Sequence, residues 1–224
     1  MLENIFFGIF YYLLVLIDFI YYNFFYFLES LGIIAFGLSG ILAAQKKNFD
    51  LVGMFSLCCI TAFGGGTLRD LILDIHPIYW VKHSEFVIAL FFISLFFYIF
   101  LRKKIFNERL LILPDSLGIA FFTATTAQLA YKLSYPLIIV AILSTIVACF
   151  GGVLRDILCL KTPFIFKKDS SLYATLAFLG ACLYFTLASY TRFDQTQILM
   201  ITVSVIFVSR MISSKYNLTY ALLD

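Results

Sequence analysis

Apolar residues run along this chain in stretches of about twenty, and polar residues fall mostly in short interruptions between them. A helix crossing a bilayer needs about 20 mostly apolar residues. The pattern predicts seven such spans, at roughly 27–45, 51–73, 86–101, 110–131, 136–159, 171–189 and 196–213. The interruptions carry the punctuation of short connections: Lys46-Lys47-Asn48, His76-Pro77, Arg102-Lys103-Lys104, Ser134-Tyr135-Pro136, Thr162-Pro163 and Arg192-Phe193-Asp194. None is long enough for a second, soluble domain. Residues 5–26 are also apolar and rich in Phe and Tyr, with Asp18 and Asn23 inside. They fit an eighth span, an interfacial helix or an extension of the first helix. A single helix from 5 to 45 would be about 60 Å long, about twice the hydrocarbon thickness. A bend or break is therefore expected near Asn23. The fold class is an all-α polytopic membrane protein.

The same polar interruptions set an orientation. The loops after the first, third and fifth core spans, with the C-terminal end, hold Lys46, Lys47, Arg102, Lys103, Lys104, Arg109, Lys161, Lys167, Lys168, Arg210 and Lys215. The loops after the second, fourth and sixth hold only Lys82, Lys132 and Arg192. By the positive-inside rule the first set is cytoplasmic. The C-terminus then lies inside, and the first core span starts outside. The extreme N-terminus has no basic n-region and no small-residue cleavage site, so it does not read as a secretory signal.

One polar pattern recurs inside the apolar runs. FGGGTLRD at Phe63–Asp70 returns as FGGVLRD at Phe150–Asp156. The two belong to a longer repeat at a constant offset of 86 residues. Glu29-Ser30-Leu31-Gly32-Ile33 aligns with Asp115-Ser116-Leu117-Gly118-Ile119, Phe36 with Phe122, and Pro77 with Pro163. Chance similarity between apolar helices would match Leu with Ile, not an ungapped Gly-Gly-x-Leu-Arg-Asp. Each copy holds three spans, an odd number, so the second copy enters the membrane from the opposite side. The expected organisation is an apolar aromatic extension at 1–26, a three-helix repeat at 27–104, an inverted repeat at 110–190 and a seventh helix at 195–213. Inverted repeats with interrupted helices are the usual architecture of proteins that move solutes.

The glycines and the Arg-Asp pairs are the candidate chemistry. Gly64, Gly65 and Gly66, with Gly151 and Gly152, serve close helix packing, kink or unwind their helices, or turn backbone carbonyls toward a hydrated path. Consecutive glycines exceed what packing needs, so a kink beside a path is expected. If the helix breaks there, Thr67 caps the new segment, with Asp70 three residues on. Val153 occupies the second copy's equivalent position, so that break is milder. Arg69 and Asp70 are adjacent and do not face each other on a regular helix, as with Arg155 and Asp156, so each needs other partners. The motifs approach opposite membrane faces. Two separate polar clusters are expected, one near each mouth of a central path, with no Arg69–Asp156 cross-pair. Ser39, Thr61, Thr123 and Thr126 are possible lining residues, as are Thr125 and Gln128, although Ser and Thr in spans often bond their own helix backbone. Glu29 and Asp115 read as acids favoured at helix N-termini by the dipole.

Composition changes this picture little. The 224 residues are 62% hydrophobic and 13% charged, about half the charge of a soluble domain. The five cysteines form no C-x-x-C pair, and His76 and His83 are not clustered. No metal, cofactor or disulfide framework is implied. No nucleophile–base motif suggests an enzyme, and nothing suggests nucleic-acid binding.

The pattern ESLGIIAFGLSGILAA, TAFGGGTLRD and Pro77, followed by DSLGIAFFTATTAQLA, FGGVLRDIL and Pro163, resembles the prokaryotic branch of the trimeric intracellular cation (TRIC) channel family. Many bacterial members of that branch carry the label of glycine transporter. The resemblance covers about residues 27–213. It implies seven helices as a 3+3 inverted repeat plus one, and a homotrimer in the cytoplasmic membrane with a pore in each protomer. It implies monovalent cations, chiefly potassium and sodium, as permeants, with the glycine motifs kinking the second and fifth helices beside the pore. The matching positions are Gly64, Gly65, Gly66, Thr67, Arg69 and Asp70, then Gly151, Gly152, Arg155 and Asp156. Glu29 stands where the family commonly has aspartate, and the aromatic N-terminal extension is unusual. A carrier for a small neutral amino acid such as glycine is the alternative.

Overall fold

The computed structural model describes residues 2–101, 108–167 and 172–216, and side chains within 24–101, 110–167 and 172–216. Arg102, Lys103, Lys104 and Lys168, and the side chains of Asp18, Asn23 and Arg109, lie outside the described residues. The described chain is all-helical: α1 (Leu2–Lys46), α2 (Leu51–Ile72), α3 (Tyr79–Lys82), α4 (Glu85–Phe100), α5 (Glu108–Lys132), α6 (Leu137–Leu158), a 3-10 turn (Phe164–Phe166), α7 (Tyr173–Tyr190) and α8 (Gln195–Lys215). Six helices are long and apolar enough to cross a membrane, beginning with Phe24–Lys46 of α1. The seventh expected span is α4, apolar but only 16 residues long.

At neither place where the sequence admitted a break is the helix interrupted. No break occurs near Asn23, because α1 is one helix from Leu2 to Lys46. Nor do the glycines break their helices. Gly64–Gly66 lie within unbroken α2, and Gly151–Gly152 within unbroken α6. Thr67 therefore caps nothing; its hydroxyl accepts a hydrogen bond from Trp80 Nε1 at 3.0 Å.

Packing explains the unbroken helices. A Cβ on Gly65 would overlap the Val147 carbonyl oxygen of α6, and one on Gly151 would overlap the Thr61 carbonyl oxygen of α2. Both glycines buy close backbone approach at one helix crossing. Ascending positions on α2 meet descending positions on α6, so the two helices run antiparallel. The partner positions also obey the 86-residue offset, Gly65 to Gly151 and Thr61 to Val147. The two copies are thus related by a pseudo-twofold axis through this crossing. The first helix of each copy repeats the arrangement. The Phe36 and Phe122 rings, one offset apart, lie 5.4 Å centroid to centroid, and Gly32 makes room for Phe122 as Gly118 does for Phe36. Elsewhere α1 packs on α2 and α5, α2 on α4, and α6 on α7. The last helix, α8, lies outside the repeat and breaks the symmetry by packing mainly on α5 and α7 of the second copy. It starts from a capping box in which Asp194 accepts from Thr196 N and Gln197 reaches back to Asp194 N.

The helix ends also repeat. Left-handed backbone occurs at Asn48 (φ 55°) and Asp74 (φ 54°) of the first copy and at Ser134 (φ 60°) and Leu160 (φ 53°) of the second. Each closes a helix with the hydrogen bonds of a Schellman-type end; Ile75 N donates to Asp70 O at 2.8 Å and Lys161 N to Asp156 O at 2.9 Å. Asn and Asp tolerate this conformation, whereas Leu160 carries a Cβ cost of about 1–2 kcal/mol. Its side chain is 91% exposed and gives little packing in return. Leu160→Asn is expected to raise stability by about 0.5–1 kcal/mol, read as a higher thermal midpoint in detergent; a lowered midpoint would contradict this reading.

Candidate functional site

The Arg-Asp pairs sit in the last turns of α2 and α6. Because these helices are antiparallel, their C-terminal ends point to opposite ends of the molecule. Each end builds a buried ion cluster on one plan. In the first, Arg69 Nη1 meets Glu29 Oε1 at 2.6 Å, while Arg69 Nε and Nη2 meet Asp70 Oδ1 at 2.9 and 2.8 Å. In the second, Arg155 Nη1 meets Asp115 Oδ1 at 2.6 Å, while Nε and Nη2 both meet Asp156 Oδ1 at 2.9 Å. All six side chains are buried. The outer carboxylate oxygen clamps the following loop in both copies. Asp70 Oδ2 accepts from Tyr79 N at 2.7 Å, and Asp156 Oδ2 from Phe164 N at 3.2 Å. Burying four carboxylates is tolerable only because each meets a guanidinium or a backbone N–H.

This geometry revises two readings of the sequence. The adjacent Arg and Asp do pair; the i, i+1 rule concerns Cβ directions, and a long arginine side chain curls back over its neighbour. Glu29 and Asp115 are not helix-start acids. Glu29 lies deep inside α1 and Asp115 follows Pro114 inside α5, and each supplies the second carboxylate of its cluster. Their shared 86-residue offset was the available signal. The two clusters are separate, and among the described residues Arg69 makes no ion pair with Asp156.

The clusters are not equal. Arg210 of α8 brings Nη2 to 3.8 Å from Asp115 Oδ2, and its guanidinium lies over the Tyr173 ring at 4.6 Å. The Tyr173 hydroxyl lies 3.4 Å from Asp115 Oδ1. Ser39 of α1 accepts a hydrogen bond from Arg155 Nη1, tying the first copy into the second cluster. The second cluster therefore holds two arginines and two carboxylates, the first one arginine and two carboxylates. Tyr79, Tyr173 and Arg210 were not singled out from sequence as site residues. Arg210 is a cation within an otherwise apolar helix, which was the signal for it.

Each cluster opens on a cavity. Arg69 and Asp70 line one of about 180 Å³ with Tyr26, His76, Tyr79 and His83. Burial, and then the Glu29 carboxylate, push the Tyr79 phenol well above its ordinary range, so it stays neutral. Asp156 lines the other cavity, of about 420 Å³, with Lys46, Lys161, Phe164 and Lys167. Of the remaining candidates, Thr61 bonds its own helix at Leu57 O, 2.7 Å away. Thr125 does the same at Phe121 O. Thr123 and Thr126 are buried with no hydrogen-bond partner for their hydroxyls, and the structure does not bring them into either cluster. Among the described residues no group of His, Cys, Asp and Glu is arranged to hold a metal.

Comparison with known proteins agrees with the duplication. The family model described as glycine transporter matches twice, at residues 26–103 and 112–189. The UPF0126 membrane protein YvgT of Bacillus subtilis is 34% identical over 158 residues, 68% of this chain and 75% of that protein. The UPF0126 inner membrane protein YadS of Escherichia coli is 31% identical over 167 residues, 74% of this chain and 79% of that one. Among solved structures, a prokaryotic TRIC channel in 0.5 M KCl superposes with a TM-score of 0.80 at 31% identity, covering 88% of this chain and 99% of that one. The TRIC trimeric intracellular cation channel orthologue from Rhodobacter sphaeroides gives 0.77 at 30% identity, with 84% and 95% covered. The duplicated fold, the twin Arg-Asp ends and these matches together establish that the chain is a multi-pass membrane protein belonging to the glycine transporter (UPF0126) family, the prokaryotic branch of the TRIC family.

Proposed function

We propose that the protein is a channel for monovalent cations in the cytoplasmic membrane, assembled as a homotrimer with a path through each protomer. The observation that carries this reading is the pair of buried Arg–carboxylate clusters at opposite ends of antiparallel α2 and α6, each opening on its own cavity. Gly64, Gly65, Gly66, Thr67, Gly151 and Gly152 lie along the crossing between them, and Arg69, Asp70, Arg155 and Asp156 stand at the two mouths. A path of this kind attracts cations through its carboxylate oxygens. The relatives described as cation channels, and the inner-membrane relative in Escherichia coli, support the same reading. With basic loops inside, the lysine-lined cavity at Asp156 is the cytoplasmic mouth, and the C-terminus is cytoplasmic.

A glycine carrier is the second reading, favoured by a guanidinium and carboxylates side by side at each cavity. It fits less well. All three Arg69 nitrogens already contact Glu29 or Asp70, so a substrate carboxylate there would compete with two carboxylates for the same guanidinium. Purified protein in liposomes decides between the two, with potassium flux and labelled glycine uptake measured side by side. Potassium flux without saturable glycine uptake is expected. Saturable glycine uptake without ion flux would overturn the channel.

A further inference from the structure

In each copy of the repeat a phenylalanine follows the first-helix acid by seven residues, Phe36 after Glu29 on α1 and Phe122 after Asp115 on α5. That spacing puts ring and carboxylate on one helix face, about 10 Å apart. Contacts with the clusters fix where the rings stand. Glu29 belongs to the first cluster, and Ser39, ten residues further along α1, bonds Arg155 of the second. The two clusters are therefore about 15 Å apart along α1, and Phe36 lies between them. Phe122 lies against it, ring centroids 5.4 Å apart, and both residues are 1% exposed. The α2–α6 crossing offers no way round, because backbone meets backbone at Gly65 and Gly151. Glu29 and Phe122 line one space of about 10 Å³ with Ile33, Ala62, Phe63 and Trp80. A cavity so small, with mostly apolar walls, stays dry. The wider cavities at Asp70 and Asp156 are thus separated by two rings and the apolar side chains around them.

We propose that Phe36 and Phe122 are the gate of the path: the two rings close it between the ion clusters by excluding water, and cations cross only when the rings part. An apolar constriction that sheds water stops an ion, because it strips the hydration shell and offers no oxygen in exchange. The seats of the rings suit this part. Phe36 rests against Gly118, and Phe122 against Gly32 and Gly66, so each seat is backbone without a side chain to hold the ring fast. The rings are equivalent under the pseudo-twofold axis, so the two should contribute alike, unlike the clusters that flank them. The inference rests on the channel reading and adds to it the residues that decide when an ion passes.

Potassium flux into liposomes is measured for the wild type, Phe36→Ala and Phe122→Ala, and the milder Phe36→Leu and Phe122→Leu. Each alanine variant should raise flux about tenfold, a modest fall in the barrier, and each leucine variant by a smaller factor. A ring that served packing alone would lower the thermal midpoint in detergent without raising flux. Wild-type flux in folded alanine variants therefore overturns the gate and leaves the channel standing. Where alanine prevents folding, wild-type flux in the leucine variants does the same. Hydration is read without flux. Trp80 is the only tryptophan in the chain and lines the small space beside Phe122. Phe122→Ala should admit water there and move Trp80 emission to longer wavelength; unmoved emission overturns the water-excluding plug. A red shift with no potassium flux in any variant would keep the plug and remove the channel reading.

Discussion

Gly151→Ala should lower the stability of the protein by about 1–3 kcal/mol, the usual cost of overpacking a close interface, and Gly65→Ala should do the same. Each new Cβ would collide with a backbone carbonyl, of Thr61 or of Val147, on the facing helix. A side chain could rotate away, but a helix carbonyl is held by its own ladder, so α2 and α6 must move apart. Separating them loosens contacts along the whole crossing and shifts the two helix ends that carry Arg69 and Arg155. The neighbouring glycines are the control. A Cβ on Gly66 makes only ordinary contacts, and one on Gly64 meets the mobile end of Leu154 at 3.0 Å. Gly66→Ala should therefore leave the fold intact or stabilise it by up to about 1 kcal/mol through helix propensity. Thermal unfolding in detergent checks the order. If Gly65→Ala and Gly66→Ala melt alike, the α2–α6 approach does not limit the fold.

Much of this was legible in the chain. Apolar runs and their punctuation mark the long helices, and the 86-residue offset relates glycines, arginines and carboxylates across the two copies. The separation of the two clusters follows from the inverted order. What could not be read was where helices begin and what they touch. Glu29 passes for a helix-start acid when the first helix is placed at 27; with α1 starting at Leu2 it is an interior acid that needs a counter-ion. Glycines in a row leave packing and kinking both open, because sequence does not display the helix that presses against them. Arg210 counted as a basic residue at a helix end, since its role rests on α8 packing against α5, a contact distant in the chain. The error over Arg69 and Asp70 was different in kind, since Cβ geometry was applied to a side chain long enough to escape it.

The inequality of the clusters has a consequence for stability that the repeat alone would not predict. Arg69→Gln should be more damaging than Arg155→Gln. Removing one partner of a buried ion pair costs about 3–5 kcal/mol, because the charge left behind is uncompensated. Without Arg155, Asp115 still has the Arg210 guanidinium at 3.8 Å, and Asp156 still receives Phe164 N. Without Arg69, Asp70 keeps the Tyr79 N–H, and among the described residues no second arginine stands beside Glu29. The first cluster thus leaves two buried negative charges where the second leaves about one. Lysine rescues neither fully, because a single ammonium cannot span both carboxylates as the planar guanidinium does. The ranking is checked by thermal unfolding of the two glutamine variants beside Arg210→Gln and the Arg155→Gln/Arg210→Gln double variant. The double variant should fall to the level of Arg69→Gln or below, with coupling between the two sites because both act on Asp115. Equal losses for the two single variants, with additive behaviour in the double, would mean that Arg210 does not share the charge of Asp115.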